Sequence, residues 1–192
     1  MTAAEPVRLP DRAARREALL DAADRIVRRD GPAASMATIA AEAGITKPIL
    51  YRHFGDKSGL YAALADRYTG RLLADLQAAL GAGRTRRDRV ARTVDAYLAA
   101  IEREPQVYRF LVHADEAAPA QVRSFTRRLS ALLAAGIAAE VGGPPQRAGA
   151  WGHGIVGMVQ SAGDWWLDTR GCTRAELVCE LTDLLLGAYA TV

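Results

Sequence analysis

The chain has 192 residues, 50% of them apolar, and sets 25 Lys and Arg against 22 Asp and Glu for a formal net charge of +3. That length allows one helical domain with a core or two small ones sharing a helix, and the scattered glycines and prolines disfavour both disorder and a fibrous repeat. Charges interrupt every apolar run before it could span a bilayer, and the opening MTAAEPVRLPDRAARRE has no apolar signal region, so neither membrane nor secretion is expected and the expected compartment is the cytoplasm.

The first helix is expected over Ala14 to Arg29, where Leu19, Leu20, Ala22, Ala23, Ile26 and Val27 form one apolar stripe. Gly31-Pro32 ends it by reversing the chain and removing a donor. Ser35 stands at an N-cap position before a short helix, Met36 to Ala43, that Gly44 stops. Thr46 caps a third helix, Lys47 to Phe54, in which Pro48 is tolerated because first-turn amides lack an intrahelical acceptor. Asp56 caps a fourth, from Lys57 to about Leu80, with Leu60, Leu64, Tyr68, Leu72 and Leu76 on one face. Further helices are expected at about Asp88 to Arg103, Gln106 to Asp115, Pro119 to Glu140, Gln146 to Leu167 and Thr173 to Ala190. No stretch alternates apolar and polar residues as a strand would, so the expected fold is all-α with about nine helices.

Two features carry less. Cys172 and Cys179, read as lying on one helix, would stand roughly 10 Å apart along its axis, too far for a disulfide. They form no metal-binding pattern and are expected to be buried small residues, Cys179 above all. Basic residues cluster at Arg8, Arg12, Arg15 and Arg16 and again at Arg84, Arg86, Arg87, Arg89 and Arg92, but a solvated helix surface explains either cluster equally well.

The segment from Ser35 to Phe54 holds two short helices around a glycine turn. Helices of two turns are marginal alone and need tertiary support. Ile39, Ala40, Ala43, Ile45 and Leu50 would meet on the inside, leaving Lys47, Pro48, Tyr51 and Arg52 or His53 outward. That is a helix-turn-helix arrangement, whose second helix enters the DNA major groove by its N-terminal end.

The run from Leu19 to Leu64, through AADRIVRRDG, IAAEAGITKPILYRHF and GDKSGLYAAL, resembles the tetracycline-repressor (TetR/AcrR) family of bacterial transcription regulators. The resemblance covers about the first third of the chain, and the remainder agrees with the family in helix number and length alone. It implies a DNA-binding domain over residues 12–72 and an effector-binding and dimerisation domain over 73–192. It implies that Lys47, Pro48 and Ile49 face the groove, with Tyr51 reaching a base edge or the backbone, and that Ser35, Thr46, His53 and Lys57 meet phosphates. Ala37 departs from the family, whose members often carry a polar or charged group there, so one contact is in doubt.

The family also implies a dimer built by the last two helices and an effector pocket among the central ones. The penultimate helix carries Gly149, Gly152, Gly154, Gly157 and Gly163, which weaken a helix unless close packing compensates. Gly154 and the flank Leu177, Leu181, Leu184 and Leu185 are the expected homodimer interface, although intrachain core explains the leucines taken alone. Tyr97, Phe110, His113, Phe125, Trp151, Met158 and Trp165 are the expected lining of a cavity for an apolar effector, an acyl chain or drug-like aromatic, with plain core as the alternative for each ring. Trp165 and Trp166 must point in different directions.

The function expected is a sequence-specific regulator, a repressor released from a palindromic operator by the effector. An activator or a nucleoid-type organiser would use the same DNA-binding head. Outside DNA binding, a metal-dependent helical enzyme or a small-molecule carrier is the rival, but it leaves the Ser35 to Phe54 segment unexplained. No catalytic residues, metal ligands or cofactor are expected, since the three histidines, His53, His113 and His153, fall in separate helices.

Overall fold

In the computed structural model the described residues are 12–117, 124–141 and 144–189, and their regular structure is helical throughout. Nine α-helices are described: α1 (Arg12–Asp30), α2 (Met36–Glu42), α3 (Lys47–Phe54), α4 (Lys57–Ala82), α5 (Arg86–Arg103), α6 (Pro105–Ala117), α7 (Ser124–Val141), α8 (Pro145–Thr169) and α9 (Arg174–Tyr189). All nine expected helices are present. Arg8, Pro119 and Ala190, which the expected basic cluster and helix ends include, lie outside the described residues.

Local chemistry sets the short helices. A 3-10 turn, Gly31–Ala33, follows α1, and Gly31 takes a φ of 54° that suits glycine. Ser35 caps α2 through its hydroxyl, which accepts from the Thr38 amide, while the Ser35 amide donates back to the Thr38 hydroxyl. The end of α2 is a Schellman motif: Gly44 has a φ of 65°, its amide donates to Ala41, and the Ile45 amide donates to Ala40. Asp56 caps α4 by accepting from the Gly59 amide at 2.7 Å. Thr46 occupies the cap position of α3, but its hydroxyl makes no capping bond.

Two cores share α4 and α6. In the first, Leu19, Leu20, Ala23, Ile26 and Val27 of α1 meet Ile39, Leu50, Phe54, Leu60, Leu64 and Tyr68. In the second, Leu76 joins Val94, Tyr97, Leu98 and Ile101 of α5, Val159, Trp166 and Leu167 of α8, and Leu177, Leu181 and Leu185 of α9. Helix α6 serves both, because Val107, Phe110 and Leu111 point into the first core and Tyr108 into the second.

Polar contacts tie the two cores together. Tyr68 of α4 donates to Asp24 of α1 at 2.6 Å, Arg28 donates to Asp24 at 2.8 Å, and Arg28 also pairs with Glu104 ahead of α6. Burial alone would raise the Asp24 pKa, but hydrogen bonds from Arg28 and Tyr68 outweigh it and hold the carboxyl below the ordinary aspartate value. Gly31 is pressed close to Gln106: a Cβ there would lie 2.3 Å from its Oε1.

The glycines of α8 divide in two. A Cβ at Gly152 would stand 2.5 Å from the Ser130 carbonyl oxygen, and one at Gly163 would stand 2.8 Å from Ile101, so these two admit close packing of α7 and α5. Gly149, Gly154 and Gly157 face open space.

The cysteines differ from expectation. Cys172 sits in the bend between α8 and α9, where its carbonyl accepts from the Trp166 indole at 2.8 Å, and Cys179 is exposed rather than buried. The reason is the helical phase of α9: its inward side is taken by Leu177, Leu181 and Leu185, which leaves Cys179 outside.

Candidate functional site

Helix α3 owes its orientation to two buried anchors. Leu50 is fully buried and Phe54 nearly so, which turns Lys47, Pro48, Ile49, Tyr51 and Arg52 outward. Ile49 and Tyr51 are 38% and 39% exposed, an unusual display of large apolar groups on an eight-residue helix. Thr46 is exposed at the N-terminus of α3, where its uncommitted hydroxyl and the helix dipole favour an anion. His53 is half-buried at the other end. The Ser35 hydroxyl is half-buried and engaged in the α2 cap.

Lys57 projects from the first turn of α4 with its ammonium 5.0 Å from the centre of the Tyr61 ring. Tyr61 in turn donates to the Ala34 carbonyl at 2.8 Å and stacks edge-on against Phe110 of α6, with ring centres 4.8 Å apart. Sequence reasoning missed Tyr61; its only signal was its position four residues after Lys57, one turn along the same helix. Of the first basic cluster, Arg16 lies over the Phe54 ring at 4.9 Å, while Arg12 and Arg15 are exposed. In the second cluster Arg87 pairs with Asp183 and Arg92 with Asp88.

A cavity of about 170 Å³ opens in the second core between α4, α5, α7, α8 and α9. Its walls are mainly aliphatic, including Leu76, Val94, Leu133 and Val159, and Arg86 and Arg89 border it at the more exposed end. Of the expected lining residues, the structure brings Tyr97 to this cavity. Phe110 is not there, because its face of α6 turns toward Tyr61 and the first core. Trp151 lies 4.7 Å beneath the Arg147 guanidinium, Met158 packs against the second core, and Trp165 is 51% exposed while Trp166 is buried. The side chains of His113 and Phe125 lie outside the described residues. A smaller hollow of about 80 Å³ lies where α1, α4, α5 and α6 meet, beside Arg28 and Tyr68.

The expected interface between copies also needs correcting. Leu177, Leu181 and Leu185 are buried within the chain, because α9 lies along α5, where Arg174 pairs with Asp95 and Glu102. The stripe therefore has its partner inside the protomer. Leu184, 56% exposed, and Gly154 face outward.

Among the described residues no group of three or more His, Cys, Asp or Glu is placed to hold a metal ion, and no helix is long and apolar enough to cross a membrane.

With this geometry, two family matches divide the chain. "Bacterial regulatory proteins, tetR family" matches residues 19–64, and "Tetracyclin repressor-like, C-terminal domain" matches residues 75–192. The chain belongs to the TetR family of bacterial regulators. It is a helix-turn-helix transcriptional regulator. A Mycobacterium tuberculosis regulator of the same helix-turn-helix type is 31% identical over 183 residues, 93% of this chain and 78% of its own. The transcriptional activator FasR of Mycolicibacterium smegmatis is 31% identical over 165 residues, 84% of this TetR-family chain and 75% of its own. A tetR-family regulator from Streptomyces coelicolor superposes with a TM-score of 0.77 at 25% identity, covering 92% of this chain and 81% of that one. FadR from Bacillus subtilis, in complex with stearoyl-CoA, shares the fold with a TM-score of 0.65 at 15% identity, covering 88% and 96%.

Proposed function

We propose that this TetR-family regulator binds a palindromic operator as a homodimer and releases it when a small apolar molecule enters the body. In this reading residues 12–72 form the DNA-binding head and residues 73–192 the effector-binding and dimerisation body, and the protein works in the cytoplasm, where bacterial DNA lies. The observation that carries it is the outward face of α3: Lys47, Pro48, Ile49 and Tyr51 project together from a helix pinned beneath by Leu50 and Phe54. Lys47, Pro48, Ile49 and Tyr51 meet the major groove. Thr46, His53 and Lys57 meet phosphates, and Ser35 contributes from the start of α2.

A single eight-residue recognition helix reads few base pairs, so two copies on a symmetric site supply the specificity. The outward faces of α8 and α9, with Gly154, Trp165 and Leu184, are the surfaces available for pairing. The aliphatic cavity supports an apolar effector, and the fold it shares with a stearoyl-CoA-binding FadR agrees with that class.

Activation is a second reading, favoured by one observation: a relative 31% identical is a transcriptional activator. Footprinting on genomic fragments, followed by transcription from the protected promoter with purified polymerase, tests both. A palindromic footprint with reduced transcript supports repression, and one with increased transcript supports activation. Fragments bound no better than random duplex would refute sequence-specific regulation and favour a nucleoid-type role.

A further inference from the structure

Among the described residues four large apolar side chains are exposed: Ile49, Tyr51, Trp165 and Leu184. Trp165 and Leu184 lie on α8 and α9, on the faces available for pairing, and Tyr51 carries a hydroxyl. Ile49 is different, because it is hydrocarbon throughout and sits in the first turn of α3. Ile45, four residues earlier, packs against the first core, whereas Ile49 is outside that set. Helix formation does not explain it either. A β-branched residue is a poorer helix former than alanine or lysine, and a helix of two turns has little propensity to spare.

Its neighbours on the outward surface leave Ile49 one kind of partner. Lys47 offers an ammonium, Tyr51 a hydroxyl and Arg52 a guanidinium, so polar edges already have readers nearby. Ile49 can neither donate nor accept. In the major groove the apolar group that a base pair presents is the C5 methyl of thymine. Set against the amino group of cytosine or adenine, the isoleucine would cover a donor without satisfying it, which is costly. One side chain thus favours thymine and penalises its competitors.

We propose that Ile49 is a specificity-determining residue whose side chain packs on the methyl group of one thymine in each operator half-site. The inference rests on the reading of α3 as the helix that enters the groove, and adds the base that one of its positions selects.

Deoxyuridine pairs with adenine as thymidine does and lacks only the methyl. The operator is first selected from a random duplex library with the full-length protein. Each thymine of one half-site is then replaced by deoxyuridine in turn, and affinities are measured for the unaltered protein, Ile49→Ala and Ile49→Val. At one thymine the replacement should weaken binding by the unaltered protein roughly fourfold, the burial of one methyl-sized group. In Ile49→Ala the two duplexes should bind alike at that position, while Ile49→Val, which keeps a branched apolar tip, should retain the preference. Lower salt strengthens the phosphate contacts, so the ratio stays measurable even where Ile49→Ala binds weakly. A half-site with no methyl-sensitive thymine, an undiminished preference in Ile49→Ala, or a preference lost equally in Ile49→Val overturns the assignment. Selection of an operator without methyl dependence overturns this assignment alone. A library from which no sequence is selected overturns the groove reading and this assignment with it.

Discussion

Lys47 and Lys57 are both exposed cations near the candidate DNA surface, but they occupy different settings. Lys47 begins α3, the helix proposed to face base edges, whereas Lys57 begins α4 over the Tyr61 ring. Lys47→Ala is expected to relax discrimination at one base position, with a loss of about 1–3 kcal/mol at the preferred base. Lys57→Ala should weaken specific and random duplexes alike and reduce the salt dependence of binding by about one counterion. Competition titrations at several salt concentrations distinguish the two outcomes. Asp24 behaves differently, since its bonds hold the protein together. Its folded-state pKa is depressed, so its contribution is full above the ordinary aspartate pKa and is lost as pH falls through the depressed value. Asp24→Asn should cost about 1–3 kcal/mol near neutrality, and the deficit should shrink below about pH 4 in denaturant melts.

At the scale of elements, α8 is a 25-residue helix that tolerates five glycines because two of them admit neighbours. Gly152→Ala would press a Cβ on the Ser130 carbonyl and should destabilise by about 1–3 kcal/mol through overpacking. Gly149→Ala meets open space and should stabilise by up to about 1 kcal/mol from helix propensity. Thermal melts of the pair test this reading of the glycines. On α9 the same logic separates neighbours: Leu181→Glu should unfold the body, whereas Leu184→Glu should leave it folded and yield monomers. Sedimentation and helical circular dichroism together check that contrast, and a folded Leu184→Glu dimer would exclude this face as the interface.

Across the whole molecule, head and body are joined through two helices rather than one. Helix α4 runs from Lys57 to the cavity wall at Leu76 and Leu80, and α6 places Phe110 against Tyr61, which supports Lys57. A shift in the body can therefore reach Lys57, the proposed phosphate contact, along either path. Phe110→Leu, which keeps an apolar group but removes the edge-on ring contact, should retain operator and effector binding while reducing the coupling between them. The expected coupling in the unaltered protein is about 1–3 kcal/mol, a roughly 5- to 150-fold change in operator affinity. Operator titrations with and without effector measure it, and equal coupling in Phe110→Leu would remove α6 from the pathway.

Sequence alone determined the helices and the short helical pair, because caps, glycine turns and apolar periodicity are local signals. Ser35, Gly44 and Asp56 fix helix ends by bonds made within a few residues of themselves, so their roles were legible one after another. The outward set on α3 was legible for the same reason: once Leu50 and Phe54 are inside, helical geometry leaves Lys47, Pro48 and Tyr51 outside. Tertiary structure alone decided which partner each apolar stripe meets. The leucines of α9 suit an interface between copies as well as a core, and only the placement of α9 along α5 assigns Leu177, Leu181 and Leu185 to the protomer. Phe110 suits a pocket as well as a helix contact, and only the shared position of α6 between two cores sends it to Tyr61.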